Sequence, residues 1–384
     1  MKIGIITLFD NGNLGAALQA HALSRVLQRM GHQCVDIRYE RVSEGKSDAQ
    51  ANWIKRRKML STWKGCKEFA VKAICTIALR RKLAQRGRVF SRFISENITQ
   101  SEKTYRGFTA LARADQSFDC YICGSDNIWN KLKFDPTYFL AFVPDDIPKF
   151  SYAAGLSAKN LSDADQRRFL PLIERLDAVS VRDSIGVRLL RSLTDKPVRE
   201  DVDPTLLLTA DEWTRMRKPV ENVPLHYIFC YLLGNNPDAR KAARRLKQST
   251  GLPIVNLPHA TTIQSSDIGF GDVRKYDVDP AGFLTLVSGA DYVITDSFHG
   301  SVFSILFNRN FVAFRRFRTG TEADLNLRLD CLMERVYLPR RIAVNTENAL
   351  ELLKEQIDYQ PVNQRIQELR ADSLEYLRQI TDIA

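Results

Sequence analysis

The stretch Asp291–Asn308, DYVITDSFHGSVFSILFN, sets the fold class. Tyr292-Val293-Ile294-Thr295 is aromatic and β-branched and reads as a short buried strand. Asp296-Ser297-Phe298-His299-Gly300 forms a turn. Val302, Phe303, Ile305 and Leu306 then recur at helical spacing. This is a βα unit of an open parallel sheet, where ligands sit outside the carboxyl ends of the strands. Asp296, Ser297 and His299 occupy that place. The free N–H groups and positive dipole end of the helix favour an anion there. A histidine beside such an anion can be held protonated and serve as a proton donor. The alternative for His299 is a polar cap with no chemistry.

The same unit recurs along the chain. Lys2 to Leu8 is a first buried strand, Phe9 to Gly15 a Gly/Asn-rich turn, Ala16 to Met30 a helix ended by Gly31, and Gln33 to Ile37 a second strand. The turn lacks the full GxGxxG spacing, so dinucleotide binding is not indicated. Phe118 to Cys123 ends in Gly124-Ser125-Asp126-Asn127, and Phe150 to Gly155 repeats that pattern. Leu176 to Val181 is a strand with Arg182-Asp183 at its end, before a helix Ile185 to Leu193. Arg182 there is a candidate anion clamp, since a guanidinium binds carboxylate or phosphate through two parallel bonds; a local pair with Asp183 is the alternative.

A second series follows a boundary at Pro197 to Pro204: strand His226 to Leu233, helix Pro237 to Thr250, strand Leu252 to Leu257, helix Pro280 to Ser288, then the opening stretch and strand Phe311 to Phe314. Asn326 to Val336 and Thr346 to Ala384 read as helical. The expected architecture is α/β, with two Rossmann-like doubly wound domains facing a cleft (residues 1–200 and 201–345), and helices 346–384 packing back on the body.

The 384 residues carry a net charge of +11, unevenly placed. Trp53 to Arg92 holds 13 Lys or Arg and one acid, Glu68, while the rest of the chain holds 43 basic and 44 acidic groups. This added basic helical segment (53–95) has an apolar side that includes Trp53, Leu60, Trp63, Phe69, Ile77, Phe90 and Phe93. It reads either as a solvated face over the first domain or as a surface for an anionic membrane. No recognition motif points to nucleic acid. The seven cysteines are scattered, and no secretion signal precedes the first strand; a reduced cytoplasmic protein is expected. Cys120 and Cys123 have CxxC spacing inside an apolar run with no second pair, so packing is expected there and no metal. No apolar run reaches the roughly 20 residues that span a bilayer.

Six blocks in order carry a specific resemblance. Asn13-Leu14-Gly15-Ala16-Ala17-Leu18-Gln19 and Gly124-Ser125-Asp126-Asn127-Ile128-Trp129-Asn130 are the first two. Ser151 to Gly155, Ser180 to Asp183, Val202-Asp203-Pro204-Thr205-Leu206 and Thr295 to Gly300 follow. Together they resemble the polysaccharide pyruvyl transferase family, from about Ile3 to about Arg328. The resemblance implies a GT-B-like fold of two Rossmann-like domains. It implies transfer of a pyruvyl group from phosphoenolpyruvate to two hydroxyls of a cell-surface polysaccharide or its lipid-linked precursor, giving a ketal, with no cofactor beyond that donor.

Family members place an Arg at Arg182 and an R-L-H block at Ser297-Phe298-His299 against the donor. Arg182 and His299 carry over; Ser297 stands where the block has Arg, so either another cation, such as Arg315, Arg316 or Arg318, takes its place or the donor differs. Substrate contacts are expected from Arg182, Ser297, Phe298, Gly300, Asn13, Gly15, Ser125, Arg315 and Arg318. His299 is the expected acid for the enol carbon, and Asp126 or Asp296 the candidate base. The basic segment would then hold the enzyme at the inner leaflet, near a lipid-linked acceptor. A nucleotide-sugar glycosyltransferase on the same scaffold, or a silent membrane-surface scaffold, remains open because fold does not fix chemistry.

Overall fold

A computed structural model describes residues 1–42, 63–114, 117–259, 265–317 and 326–383, with only the backbone course given for 63–76. In the first lobe, β1 (Lys2–Ile6), α1 (Leu14–Arg29) and β2 (Gln33–Asp36) form the opening βαβ unit. A 35-residue helix, α2 (Trp63–Asn97), leads to β3 (Cys120–Cys123) and β4 (Lys149–Ser151). The strands lie in the order β2-β1-β3-β4, all parallel. A parallel pair, β5 (Val179–Val181) and β6 (Val198–Glu200), flanks α3 (Ser184–Arg191). Bridges Phe150–Ala178 and Ala154–Val181 join it to β4. Every residue of β3 is buried, as expected for a strand covered on both faces. Cys120 and Cys123 are therefore core side chains, and burial pushes both thiols up, Cys120 to about 12.

The second lobe contains β7 (Ile228–Tyr231), α4 (Pro237–Thr250), β8 (Ile254–Asn256), β9 (Val273–Arg274) and α5 (Pro280–Ser288). Next come β10 (Tyr292–Thr295), α6 (Phe298–Leu306), β11 (Asn310–Phe314), α7 (Leu327–Arg335) and β12 (Ile342–Ala343). The strand order is β9-β8-β7-β10-β11-β12, again all parallel. β10 lies inside this sheet, and all nine residues of α6 are buried, so the opening stretch is an interior βα unit.

The helices expected over 346–384 are α8 (Thr346–Lys354) and α9 (Tyr359–Ile383). Arg341 causes the break by donating to the Leu352 and Glu355 carbonyls at the end of α8, while Asp358 accepts from the Gln360 N–H to start α9. α9 then returns to the first lobe, where the Tyr376 hydroxyl donates to the Ser151 carbonyl at 3.0 Å.

α2 ties the lobes together. Phe90, Phe93 and Ile94 enter the first-lobe core. Arg86, one of the basic residues, is 5% exposed and donates to four second-lobe carbonyls: Pro258, His259, Lys275 and Tyr276. Arg80, Arg81, Lys82, Arg88 and Arg92 face solvent. Ile77, placed on the apolar side from sequence, is 76% exposed. Residues 53–62 of the basic segment lie outside the described residues. Among the described residues no helix is long and apolar enough to cross a membrane.

Candidate active site

The carboxyl ends of the two sheets meet around Asp203, on the segment that leaves β6 for the second lobe. Its Oδ1 accepts the Thr205 N–H at 3.0 Å and the Thr205 hydroxyl at 2.7 Å. Its Oδ2 accepts from Arg182 Nη1 at 2.9 Å and from the Ser125 hydroxyl at 3.5 Å. His299 Nε2, from the second lobe, stands 3.6 Å from the same Oδ2, an ion-pair distance too long for a strong hydrogen bond. Burial alone would raise the Asp203 carboxyl, but the His299 imidazole and then Arg182 outweigh it and hold Asp203 well below the usual carboxylate range.

Arg182 is set by position: β5 ends at Val181, so the next side chain projects from the sheet's carboxyl edge. Its guanidinium packs 4.7 Å from the centre of the Phe298 ring. Asp183 instead caps α3, accepting the Gly186 N–H at 2.8 Å, which removes the local Arg182–Asp183 pair from consideration. Only Nη1 of Arg182 is hydrogen-bonded; buried Nε and Nη2 have no hydrogen-bond partner, and His299 Nε2 has only its 3.6 Å contact with Asp203. Unpaired buried donors of this kind are costly and mark a place where an acceptor is expected.

Asp126 completes the first-lobe side. It has φ of +69°, an uncommon conformation for a non-glycine residue. That turn places Oδ1 4.0 Å from Arg182 and 3.7 Å from Arg328 of α7. Gly155 allows the turn, since a Cβ there would lie 2.6 Å from the Asp126 carbonyl and 2.9 Å from Arg182 Nη2. From the other side comes the α1 loop. Asn13 caps α1, its side chain accepting the N–H groups of Gly15 and Ala16. Gly15 lies directly on His299: a Cβ would be 2.1 Å from Nδ1. Asn13, Gly15, Ser125, Asp126, Arg182, Phe298 and His299 are therefore gathered at one place.

Other expectations are corrected. Both oxygens of Asp296 accept backbone N–H groups, Leu233 at 2.6 Å and Gly234 at 2.8 Å, so this carboxylate holds the loop after β7 in place. The Ser297 hydroxyl caps α6 by accepting the Gly300 N–H at 3.3 Å. Gly300 is required for packing, because a Cβ would meet Thr295 Oγ1 at 2.4 Å. Arg315 is committed to Asp330 at 2.7 Å. Arg318 lies outside the described residues. Arg316 lies near Asp296, donating to its carbonyl at 3.0 Å. The cation beside Phe298 and Arg182 is Arg328, which carried no sequence signal. Asp203 was visible only as part of a motif, with no role attached.

The cavity bounded by Arg182, Asp203, Phe298 and Arg328 measures about 20 Å³, room for about one water. The apolar core continues beneath it from Leu14, Leu18 and Phe93 to Trp213, Phe283 and Phe303, so the lobes are packed together. Among the described residues no group of three or more His, Cys, Asp or Glu is placed to hold a metal ion.

The two-lobed arrangement recurs in solved structures. The UDP-GlcNAc 2-epimerase of Methanocaldococcus jannaschii matches with a TM-score of 0.57 at 12% identity, over 100% of both chains. The Neisseria meningitidis UDP-GlcNAc 2-epimerase bound to UDP-GlcNAc matches with a TM-score of 0.52 at 12% identity, again over 100% of both. These likenesses establish the GT-B-like fold. No curated protein matches the chain in sequence. The sequence model of one family, polysaccharide pyruvyl transferase, matches residues 13–316. That span runs from the Asn13 cap to Arg316 and takes in Asp126, Arg182, Asp203 and His299, so site and sequence agree: the chain belongs to the polysaccharide pyruvyl transferase family.

Proposed function

We propose that this transferase moves a pyruvyl group from phosphoenolpyruvate to two hydroxyls of a saccharide, closing a cyclic ketal. One observation carries the reading. An imidazole and a guanidinium from opposite lobes converge on Asp203, with two buried nitrogens of that guanidinium left without hydrogen bonds. A small anion bearing a carboxylate and a phosphate suits such donors.

The chemistry follows from those positions. His299 gives a proton to the terminal methylene carbon of the enol, which becomes a methyl group. C2 becomes electrophilic, and the first hydroxyl adds to it, its proton passing to a carboxylate. Asp126, on the same side of the site as Arg182 and Arg328, is the proposed base. The second hydroxyl then replaces phosphate at C2, and its proton leaves with the phosphate. Asp203 touches neither reactant; it orients His299.

The acceptor is proposed to be a cell-surface polysaccharide or its lipid-linked precursor. The solvent-facing Arg80, Arg81, Lys82, Arg88 and Arg92 of α2 would hold the enzyme on an anionic inner leaflet, at about 1 kcal/mol per cation. The test is release of phosphate from phosphoenolpyruvate that depends on a saccharide acceptor. Loss of that turnover in His299→Ala is expected. Intact turnover in His299→Ala, or binding of nucleotide sugars without any of phosphoenolpyruvate, would overturn the reading. Vesicles containing phosphatidylserine test the surface: binding should fall in Arg80→Gln/Arg81→Gln/Lys82→Gln.

A further inference from the structure

Arg328 stands on α7, outside the residues that the family model matches. Its guanidinium lies 3.7 Å from Asp126 Oδ1 and 5.6 Å from the centre of the Phe298 ring. Arg182 lies 4.0 Å from the same oxygen and 4.7 Å from the same ring. Two guanidinium groups thus flank one phenyl ring and share one carboxylate. Burial, and then repulsion from Arg182, pull the Arg328 guanidinium down to about 10. Crowding of this kind is unfavourable unless an anion joins the pair. The second carboxylate, Asp203, already serves Arg182, Thr205 and His299. Arg182 still has two buried donor atoms without partners.

We propose that Arg328 and Arg182 form a two-armed clamp on the donor, one arm for its carboxylate and the other for its phosphate. The inference rests on phosphoenolpyruvate being the donor. It places the cation missing at Ser297 on a different element, α7, reaching the site from the far side of Phe298.

Inorganic phosphate is the probe, its binding followed by protection against thermal unfolding, alongside the KM for phosphoenolpyruvate. Arg328→Met should lose about tenfold or more in phosphate affinity and raise that KM by a similar factor. Arg328→Lys keeps the charge without the fork and should fall between. Combining Arg328→Met with Asp126→Asn removes the carboxylate that Arg328 neutralises; affinity that stays low assigns the loss to the missing contact. Wild-type phosphate affinity in Arg328→Met, or its recovery in the double variant, overturns the clamp. If Arg328→Met does not fold, equal affinity of Arg328→Lys and the wild type overturns it. Arg328-dependent phosphate binding in a wild type that never turns over phosphoenolpyruvate supports the clamp and removes only the donor.

Discussion

Asp203 and His299 meet across the two lobes at 3.6 Å, with the carboxylate almost wholly enclosed. The pair is both a structural contact and the element that orients the proposed acid. Removing one partner of such a buried pair leaves the other charge uncompensated, at about 3–5 kcal/mol. Asp203→Asn should therefore lower unfolding stability by an amount of that order and reduce kcat by about a hundredfold. Denaturant unfolding beside steady-state kinetics checks both. A variant with full activity would show that His299 does not depend on this carboxylate.

Gly15→Ala isolates the contact between α1 and His299. The added methyl would sit 2.1 Å from Nδ1, so the ring or the helix end must move. Overpacking costs about 1–3 kcal/mol. Turnover should drop by about a hundredfold, because proton transfer tolerates little displacement. Wild-type kcat with an unchanged far-UV spectrum would mean that the loop, not His299, absorbs the methyl.

Arg86→Met tests the tie between the lobes. It leaves four carbonyls of the second lobe without the donor that serves them. A loss of about 2–4 kcal/mol is expected in denaturant unfolding. Small-angle scattering should record a larger radius of gyration as the lobes separate. An unchanged radius with lower stability would assign Arg86 to local packing alone.

Asp126→Asn and Asp296→Asn separate two carboxylates that look alike in sequence. Asp126→Asn should cut kcat and also lower stability, since two buried guanidinium groups lose the carboxylate they share. Asp296→Asn should leave kcat largely intact and lower unfolding stability by about 1–3 kcal/mol, since two backbone N–H groups lose a charged acceptor. The reverse pattern would exchange their roles.

Stability should depend on pH through two buried carboxyls of opposite sign. Burial pushes Asp36 up to about 7 against the pull of the Ser24 hydroxyl. A raised carboxyl favours the folded state below about pH 4 and loses that contribution as pH rises towards 7. Asp203 is depressed, so its contribution is present above about pH 4 and is lost as pH falls further. Asp36→Asn should therefore shrink the loss of stability between pH 4 and 7 by about 2–4 kcal/mol, read from urea midpoints. An identical slope in the variant would remove Asp36 as the cause.

The sequence by itself determined the βα units, because period and composition are local. Helices Pro237–Thr250 and Pro280–Ser288 and strand Tyr292–Thr295 lie where apolar spacing and turn residues put them. It also placed Arg182 and His299 at strand ends, where side chains reach a shared edge. Tertiary structure decided what those residues touch. Asp203 became the meeting point only because a crossover segment runs between two sheets, and no local pattern records that neighbour. Arg328 sits on an ordinary amphipathic helix and gains its place from how α7 packs against Phe298. Asp296 looked like Asp126 in sequence, yet its oxygens hold the backbone of an adjacent strand's loop. The contact between Gly15 and His299 likewise belongs to packing, since a glycine at position 15 permits it but only the assembled lobes make it.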